Sequence, residues 1–308
     1  MDQRTEFAMK AMECLNFAEL CREYGISRKT GYKWRDRFLE HGKAGMEEES
    51  RRPRHHSREL GEVITCEIVR LKEAHRHWGP RKIRVLYKRK HHGQAPAESS
   101  FKRVLERAGL TRKRRKRRAK QCGRLATGRK AEAPNDVWTV DFKGWWRARN
   151  GERCEPLTVR DGHSRYVLAC TLCRATTSAV RNVFEKLFER HGVPKMIQCD
   201  NGSPFISTRS RGGLSALSAW WISLGIRIVR SRRACPQDNG AHERMHADIA
   251  AEVEISPAAN VEAQQRVIDK WRQEFNHVRP HQALSNKTPA EVYKPAERHR
   301  PSVIEYTY

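Results

Sequence analysis

Residues 111–120 read Thr-Arg-Lys-Arg-Arg-Lys-Arg-Arg-Ala-Lys, eight basic residues in ten. A run of that density cannot enter a core, because its like charges repel one another and hold the segment extended. It divides the chain, and whatever lies on either side has to fold around its own apolar residues. The surplus is general: 62 Lys and Arg stand against 36 Asp and Glu, a formal net charge of +26 over 308 residues. Such an excess points to a polyanionic partner, a nucleic acid or an anionic membrane surface. The membrane is the weaker choice, since no apolar run approaches the roughly 20 residues of a spanning helix. The start, Met1-Asp2-Gln3-Arg4-Thr5-Glu6, lacks the basic and apolar stretches of an export signal. Nine cysteines without a disulfide-like framework suit a reducing cytosol, so a cytoplasmic protein is expected. Laid along DNA, Arg112, Lys113, Arg114, Arg115, Lys116, Arg117 and Arg118 would release counterions from the phosphates. A nuclear-import signal is the competing use, and nothing else in the sequence suggests a nucleus.

On the N-terminal side, residues 1–46 carry a compact helical pattern. Phe17-Ala18-Glu19-Leu20-Cys21 starts a short helix, and Gly25, free to take positive φ, stops it. Ser27 then caps a second helix, on which Tyr32, Trp34, Arg35 and Phe38 recur at helical spacing. Helix, glycine turn, and a helix opening on Ser, Arg, Lys and Thr make the helix-turn-helix pattern of DNA readers. Ser27, Arg28, Lys29, Thr30 and Lys33 are the expected contacts. A basic helical hairpin facing solvent is the alternative; the net charge favours DNA.

Residues 47–58 form a linker around Arg51-Arg52-Pro53-Arg54-His55-His56, and residues 59–110 repeat the helical plan. Ile64, Ile68 and Leu71 give an apolar stripe. Trp78-Gly79-Pro80 is a turn and Ile83–Tyr87 a short helix. A last helix opens near Pro96 and ends at Ala108-Gly109-Leu110, with Ser99, Ser100 and Lys102 as expected DNA contacts. The histidines here have no cysteine partners at zinc-finger spacing, so a structural metal is not expected.

Residues 111–133 are the basic linker, and from Pro134 the composition becomes β-rich. Val137–Phe142, Pro156–Arg160, Ser164–Leu172, Lys195–Cys199 and Ile226–Val229 read as strands. Helices read at Ser178–Arg190, at Leu214–Leu224, from Asn239 onward and over 259–277. The order βββαβαβα predicts an α/β core, a mixed five-stranded sheet with flanking helices, over residues 134–294. Residues 295–308 are left as a tail. Cys170 and Cys173 fall in one strand, where positions three apart point to opposite faces and cannot easily share an ion.

Three acids stand out against the positive charge. Asp141 follows the apolar run Val137-Trp138-Thr139-Val140, where burying a carboxylate without a cation is costly. Asp200 closes the strand ending Gln198-Cys199, the place where open α/β sheets bind ligands, although Asp200-Asn201-Gly202 is also good turn chemistry. Glu243 lies in the first turn of a helix, where an acid also suits the dipole. Brought together, the three would hold two Mg²⁺ ions for in-line attack at phosphorus. Asp161 is the main rival, but Asp161-Gly162 reads as a structural hairpin turn.

Trp138-Thr139-Val140-Asp141-Phe142, Cys199-Asp200-Asn201-Gly202-Ser203-Pro204-Phe205 and Pro236-Gln237-Asp238-Asn239-Gly240-Ala241-His242-Glu243-Arg244 resemble the catalytic blocks of DDE transposases from bacterial insertion sequences. Arg279-Pro280-His281-Gln282-Ala283-Leu284 and Thr288-Pro289-Ala290-Glu291-Val292-Tyr293 resemble the segment that ends that core. With the N-terminal helical units, the resemblance spans nearly the whole chain. It implies a ribonuclease-H-like core shared with retroviral integrases, preceded by two small all-α helix-turn-helix domains. It implies Asp141, Asp200 and Glu243 as catalytic metal ligands, two Mg²⁺ per site with Mn²⁺ able to substitute, and Asn201 and Gly202 shaping the adjacent loop. His242 and Arg244 would position phosphates or the scissile strand. The implied activity is nicking at the ends of a mobile element and joining of the 3′ ends to target double-stranded DNA, by a homo-oligomer. A transposase-derived regulator without catalysis is the alternative. Asp200 and Glu243 are separated by 42 intervening residues, longer than the family's usual gap; the surplus at Ile206–Ser218 is expected to be a loop that moves neither acid.

Overall fold

The structure is a computed structural model that describes residues 3–48, 60–111, 131–207, 210–231 and 239–299. The chain divides into two compact units, Met1–Glu59 and Leu60–Tyr308.

In the first unit, α1 (Gln3–Glu13), α2 (Phe17–Glu23) and α3 (Arg28–His41) close around Phe7, Ala11, Leu20 and Cys21. Phe7 meets the rings of Phe17, Tyr24 and Trp34 edge-on, the arrangement that ring quadrupoles favour. Gly25 takes φ 64° in the turn, as its lack of a Cβ allows. Ser27 caps α3, accepting the Thr30 N–H at 3.2 Å. Gly31 lets α3 approach α2, since a Cβ there would lie 2.7 Å from Cys21 Sγ.

The second unit opens with α4 (Glu62–Ala74), α5 (Pro80–Lys90) and α6 (Glu98–Arg107) around Ile68, Trp78, Ile83, Tyr87, Phe101 and Leu105. α5 is longer than the helix read at Ile83–Tyr87. Pro80 starts it at a position needing no N–H, and Lys88, Arg89 and Lys90 suit the negative end of its dipole. The three helices dock on the remainder of the unit. His75 Nδ1 lies 2.9 Å from Glu274 Oε1, Arg89 pairs with Glu291 at 3.1 Å, and the Arg279 guanidinium sits 5.3 Å over the Trp78 ring.

That remainder is the mixed sheet. Its strands are β1 (Val137–Phe142), β4 (Pro156–Asp161), β5 (Val167–Leu172), β6 (Met196–Cys199) and β7 (Arg227–Arg230), in the order β5-β4-β1-β6-β7. β4 runs antiparallel to β1 and β5, while β6 is parallel to β1 and β7. A small hairpin of β2 (Trp146–Arg147) and β3 (Arg153–Cys154) projects beside it. Helices α7 (Thr177–His191) and α8 (Ala216–Ser223) cover one face over Trp138, Val140, Leu157, Phe184, Phe188 and Trp221. α9 (Gly240–Ile249), a π-helical turn at Ala250–Glu254 and α10 (Val261–His277) cover the other over Cys170, Met245, Ile249, Ile268 and Trp271. Cys170 belongs to this second core while Cys173 packs on the first, so the two do sit on opposite sides of the sheet. A last short helix, α11 (Pro289–Val292), has a capping box between Thr288 and Glu291. Among the described residues, no helix is long and apolar enough to cross a membrane.

Between β6 and α8 the chain closes on itself. Ile206 and Leu214 form a β-bridge, Ser207 N–H donates to Gly213 O at 3.1 Å, and Arg230 holds Gly212 O at 2.5 Å. Ser215 then caps α8 through a capping box with Ser218.

Candidate active site

β1 and β4 set the site by register. Asp141 pairs across the sheet with Thr158, and Thr139 with Arg160, so four polar side chains line one face of two adjacent strands. α9 lies across that face with His242, Met245 and Ile249 turned inward and Glu243 exposed beside them. Asp200 follows the last residue of β6 and is exposed, its Oδ1 accepting the Gly202 N–H at 3.2 Å. Asn201 donates to Ser231 O at 2.8 Å, which ties this turn to the end of β7.

The three acids meet electrostatically at Asp141. Its carboxyl is half-buried and its pKa is pushed up to about 7, first by burial, then by the charge of Asp200, with Glu243 adding. No lysine or arginine among the described residues pairs with it. A carboxylate held this way has the environment that a cation relieves.

Histidines fill the floor. A carboxylate oxygen of Asp141 and a ring nitrogen of each of His242 and His246 lie within 4.8 Å of one another. His242 is fully buried, with Nδ1 2.9 Å from Thr139 Oγ1 and Nε2 2.6 Å from Thr158 Oγ1. His246 Nε2 is 2.8 Å from the same hydroxyl. Burial drives His242 well below the usual imidazole range and His246 down to about 4, so both rings are neutral at pH 7. With both nitrogens of His242 hydrogen-bonded, it braces α9 on the sheet and leaves no atom for a ligand. With no exposed surface, His242 can help to position a strand only through the elements it holds together, not by contact. Arg244, in contrast, is exposed and only loosely paired, 3.5 Å from Asp248. His246 is the site residue that the sequence pattern did not single out; its spacing of four from His242 on one helix is the available signal.

Asp161 has the structural role read for it. Buried, it accepts the Asn135 N–H at 2.7 Å, the Ser164 N–H at 2.7 Å and the Ser164 hydroxyl at 2.6 Å.

Two matches to the Integrase core domain family cover residues 131–236 and 224–289. Residues 3–54 match a Helix-turn-helix domain and 30–105 a Homeodomain-like domain. The chain is 28% identical over 242 residues to the "Insertion element IS407 uncharacterized 31.7 kDa protein" of Burkholderia multivorans, covering 78% of this chain and 82% of that one. The chain belongs to the integrase-core transposases of insertion sequences. A second relative of this transposase is the "Insertion element IS476 uncharacterized 39.2 kDa protein" of Xanthomonas euvesicatoria, 25% identical, covering 75% of this chain and 64% of that one. In fold the transposase is similar to the HTLV-2 integrase catalytic core domain in complex with magnesium, at TM-score 0.41 and 18% identity over 53% of this chain and 99% of that one. It is similar also to a chain of the simian T-cell lymphotropic virus intasome, at TM-score 0.46 and 18% identity over 78% and 80%.

The transposase carries DNA-binding helix-turn-helix units. In the first, Ser27, Arg28, Lys29 and Lys33 are exposed and Thr30 half-buried against its cap. In the second, Ser99 and Lys102 are exposed and Ser100 is half-buried, 3.4 Å from Arg103. Arg112 to Arg118 lie outside the described residues.

Proposed function

We propose that this DNA transposase cleaves at the ends of its element and joins the freed 3′-hydroxyls to target DNA, with Asp141, Asp200 and Glu243 as the reacting site. The observation that carries this is the Asp141 carboxyl, half-buried, without a basic partner among the described residues and under the charges of the other two acids. Carboxylate oxygens are the donors that Mg²⁺ prefers, and His242, whose nitrogens are taken by Thr139 and Thr158, leaves that choice to the acids. Two divalent ions held there would supply activation of an attacking hydroxyl and neutralise charge on the leaving oxygen. The protein's own part is to fix the three carboxylates on β1, after β6 and on α9, and to keep Asn201 and Gly202 beside them. Ser27, Arg28, Lys29, Thr30 and Lys33, with Ser99, Ser100 and Lys102, read the element ends, and the protein acts as a homo-oligomer because two ends must be paired. Incubation of the full chain with Mg²⁺ and the DNA flanking its own gene tests the reading, scored for 3′ nicking and for joining of pre-cut ends. Joining is expected. Nicking without joining would make it a nuclease, and neither would leave a DNA-binding regulator.

The basic linker supplies a second test. Neutralising Arg112 to Arg118 should weaken binding to all DNA sequences alike and flatten its salt dependence, by about 0.9 in log–log slope for each phosphate no longer neutralised. A weakening confined to one cognate sequence would contradict backbone tracking.

A further inference from the structure

On the far side of α9 from Glu243 lies a cavity of about 550 Å³ between α9, the turn joining β4 to β5, the segment after α10, and α5 of the docked helical unit. Its size falls within the roughly 300–1,000 Å³ range of small-molecule sites. Lys82, Arg160, Arg165 and Arg244 line it, with Asp248 as the acid in the wall.

The charge does not balance. Arg160 is 4% exposed, makes no ion pair among the described residues, and its Nε has no hydrogen-bond partner. Neither Lys82 nor Arg165 has an ion-pair partner there either. Asp248 and Glu252 are already engaged by Arg279, a buried guanidinium that reaches Asp248 at 3.0 Å and also pairs with Glu252. Asp161, next to Arg160 in sequence, has its oxygens taken by Asn135 and Ser164. Those donors are neutral, so its charge still faces Arg160, and five cations share three carboxylates. Burial brings Lys82 down to about 8, with the Arg279 charge acting the same way, and lowers Arg165 as well. An uncompensated buried cation is strongly destabilising, so a fold keeps such a cluster where an anion completes it. The first turn of α9 adds a positive dipole end at Ala241, and its N-cap residue, Asn239, makes no side-chain capping hydrogen bond.

We propose that this cavity is a phosphate-binding site, formed jointly by α5 and the integrase core and completed by Arg160, Arg165 and Lys82. Its natural occupant is a backbone phosphate of DNA, held across α9 from the acids so that the strand's register at the acidic site is fixed. This source rests on the transposase reading, whereas the phosphate chemistry rests on the cavity alone.

The test uses the full chain without divalent metal and a Lys82→Gln/Arg165→Gln variant, with Arg165→Lys as the charge-keeping control. Element-end duplexes carrying one neutral methylphosphonate at successive positions are titrated against each. One position is expected to cost the wild type and Arg165→Lys about tenfold in affinity, and to cost the double variant nothing further. Pyrophosphate is added in parallel, with the melting temperature as readout. A rise in the wild type but not in the double variant, without a coupled DNA position, assigns the site to free phosphate. No coupled position and no differential rise would overturn the proposal. Failure of the wild type to bind end DNA at all would instead count against the transposase reading, and the pyrophosphate arm would still decide the cavity.

Discussion

The two faces of the central sheet are made by the same strands and obey opposite rules. Under α7 and α8, β1 and β4 present Trp138, Val140, Leu157 and Val159 to a core of Phe184, Phe188 and Trp221. Under α9 they present Thr139, Asp141, Thr158 and Arg160 to His242 and His246. Alternation of this kind ordinarily turns the polar side to water. Here a helix covers it, and each polar group needs a partner or a reason. One face therefore concentrates stability and the other chemistry, and substitutions should separate the two.

The largest separation is expected at the acids. Asp141→Asn, Asp200→Asn and Glu243→Gln should each lower Mg²⁺-dependent nicking and joining by about three orders of magnitude or more, since several kcal/mol of charge stabilisation is removed. Binding to element ends, followed by gel shift, should stay within a few-fold. Near-normal activity in any one of the three would remove that residue from the site.

The apolar face should show the reverse. Trp221 is fully buried between Phe184 and Phe205, and Trp221→Ala should cost about 3–5 kcal/mol in urea unfolding. Activity per folded molecule should hold. A drop in activity per folded molecule as large as that from the acid substitutions would mean the two faces are not separable.

The sequence shows these faces unequally. The five strands are legible because Val137–Phe142 and its companions combine β-branched and aromatic residues between turn signals. β2 and β3 are not, since two residues each offer no period to read. The acids are legible as anomalies of sign in a basic chain. Thr158 is silent, because a threonine suits any strand and gains meaning only when register sets it opposite Asp141. Arg279 is legible only as part of the segment that resembles the core's end; its pairing with Asp248 and Glu252 shows only in the fold. The long stretch between Asp200 and Glu243 reads as a loop in the sequence, but the bridge of Ile206 to Leu214 within it does not.

A subtler contrast lies in pH. Asp141 sits at about 7 in the folded chain, well above its unfolded value. The protonated form is favoured by folding, so that contribution is full below about pH 4, the unfolded carboxyl range, and is lost as pH rises through 7. Metal-free Asp141→Asn should then be more stable than the wild type at pH 8 by a few kcal/mol, since each tenfold change in a proton's binding constant is worth about 1.4 kcal/mol. The two should converge near pH 4 in thermal or urea unfolding. Mg²⁺ should stabilise the wild type at pH 8 and leave the variant unmoved. Equal stability at both pH values would mean Asp141 carries no such strain.

The smallest effect should come from the hydroxyl joining the polar face together. Thr158 Oγ1 donates its one hydrogen to Asp141 O at 2.9 Å, so the His242 and His246 Nε2 atoms beside it must both be N–H donors. His242 Nδ1 is then a lone pair 2.9 Å from the Thr139 hydroxyl, whose one hydrogen is shared between that nitrogen and Arg160 O at 3.3 Å. Thr158→Val keeps the shape and leaves two buried donors unmet, at a cost of about 1–3 kcal/mol in unfolding. Because the network braces α9 against the strand that carries Asp141, joining should also slow by about 10–100-fold with end binding unchanged. Thr158→Ser keeps the hydroxyl and should restore both. Loss of stability without loss of rate would make the network scaffolding alone, and the polar face would then resemble the apolar one in everything but composition.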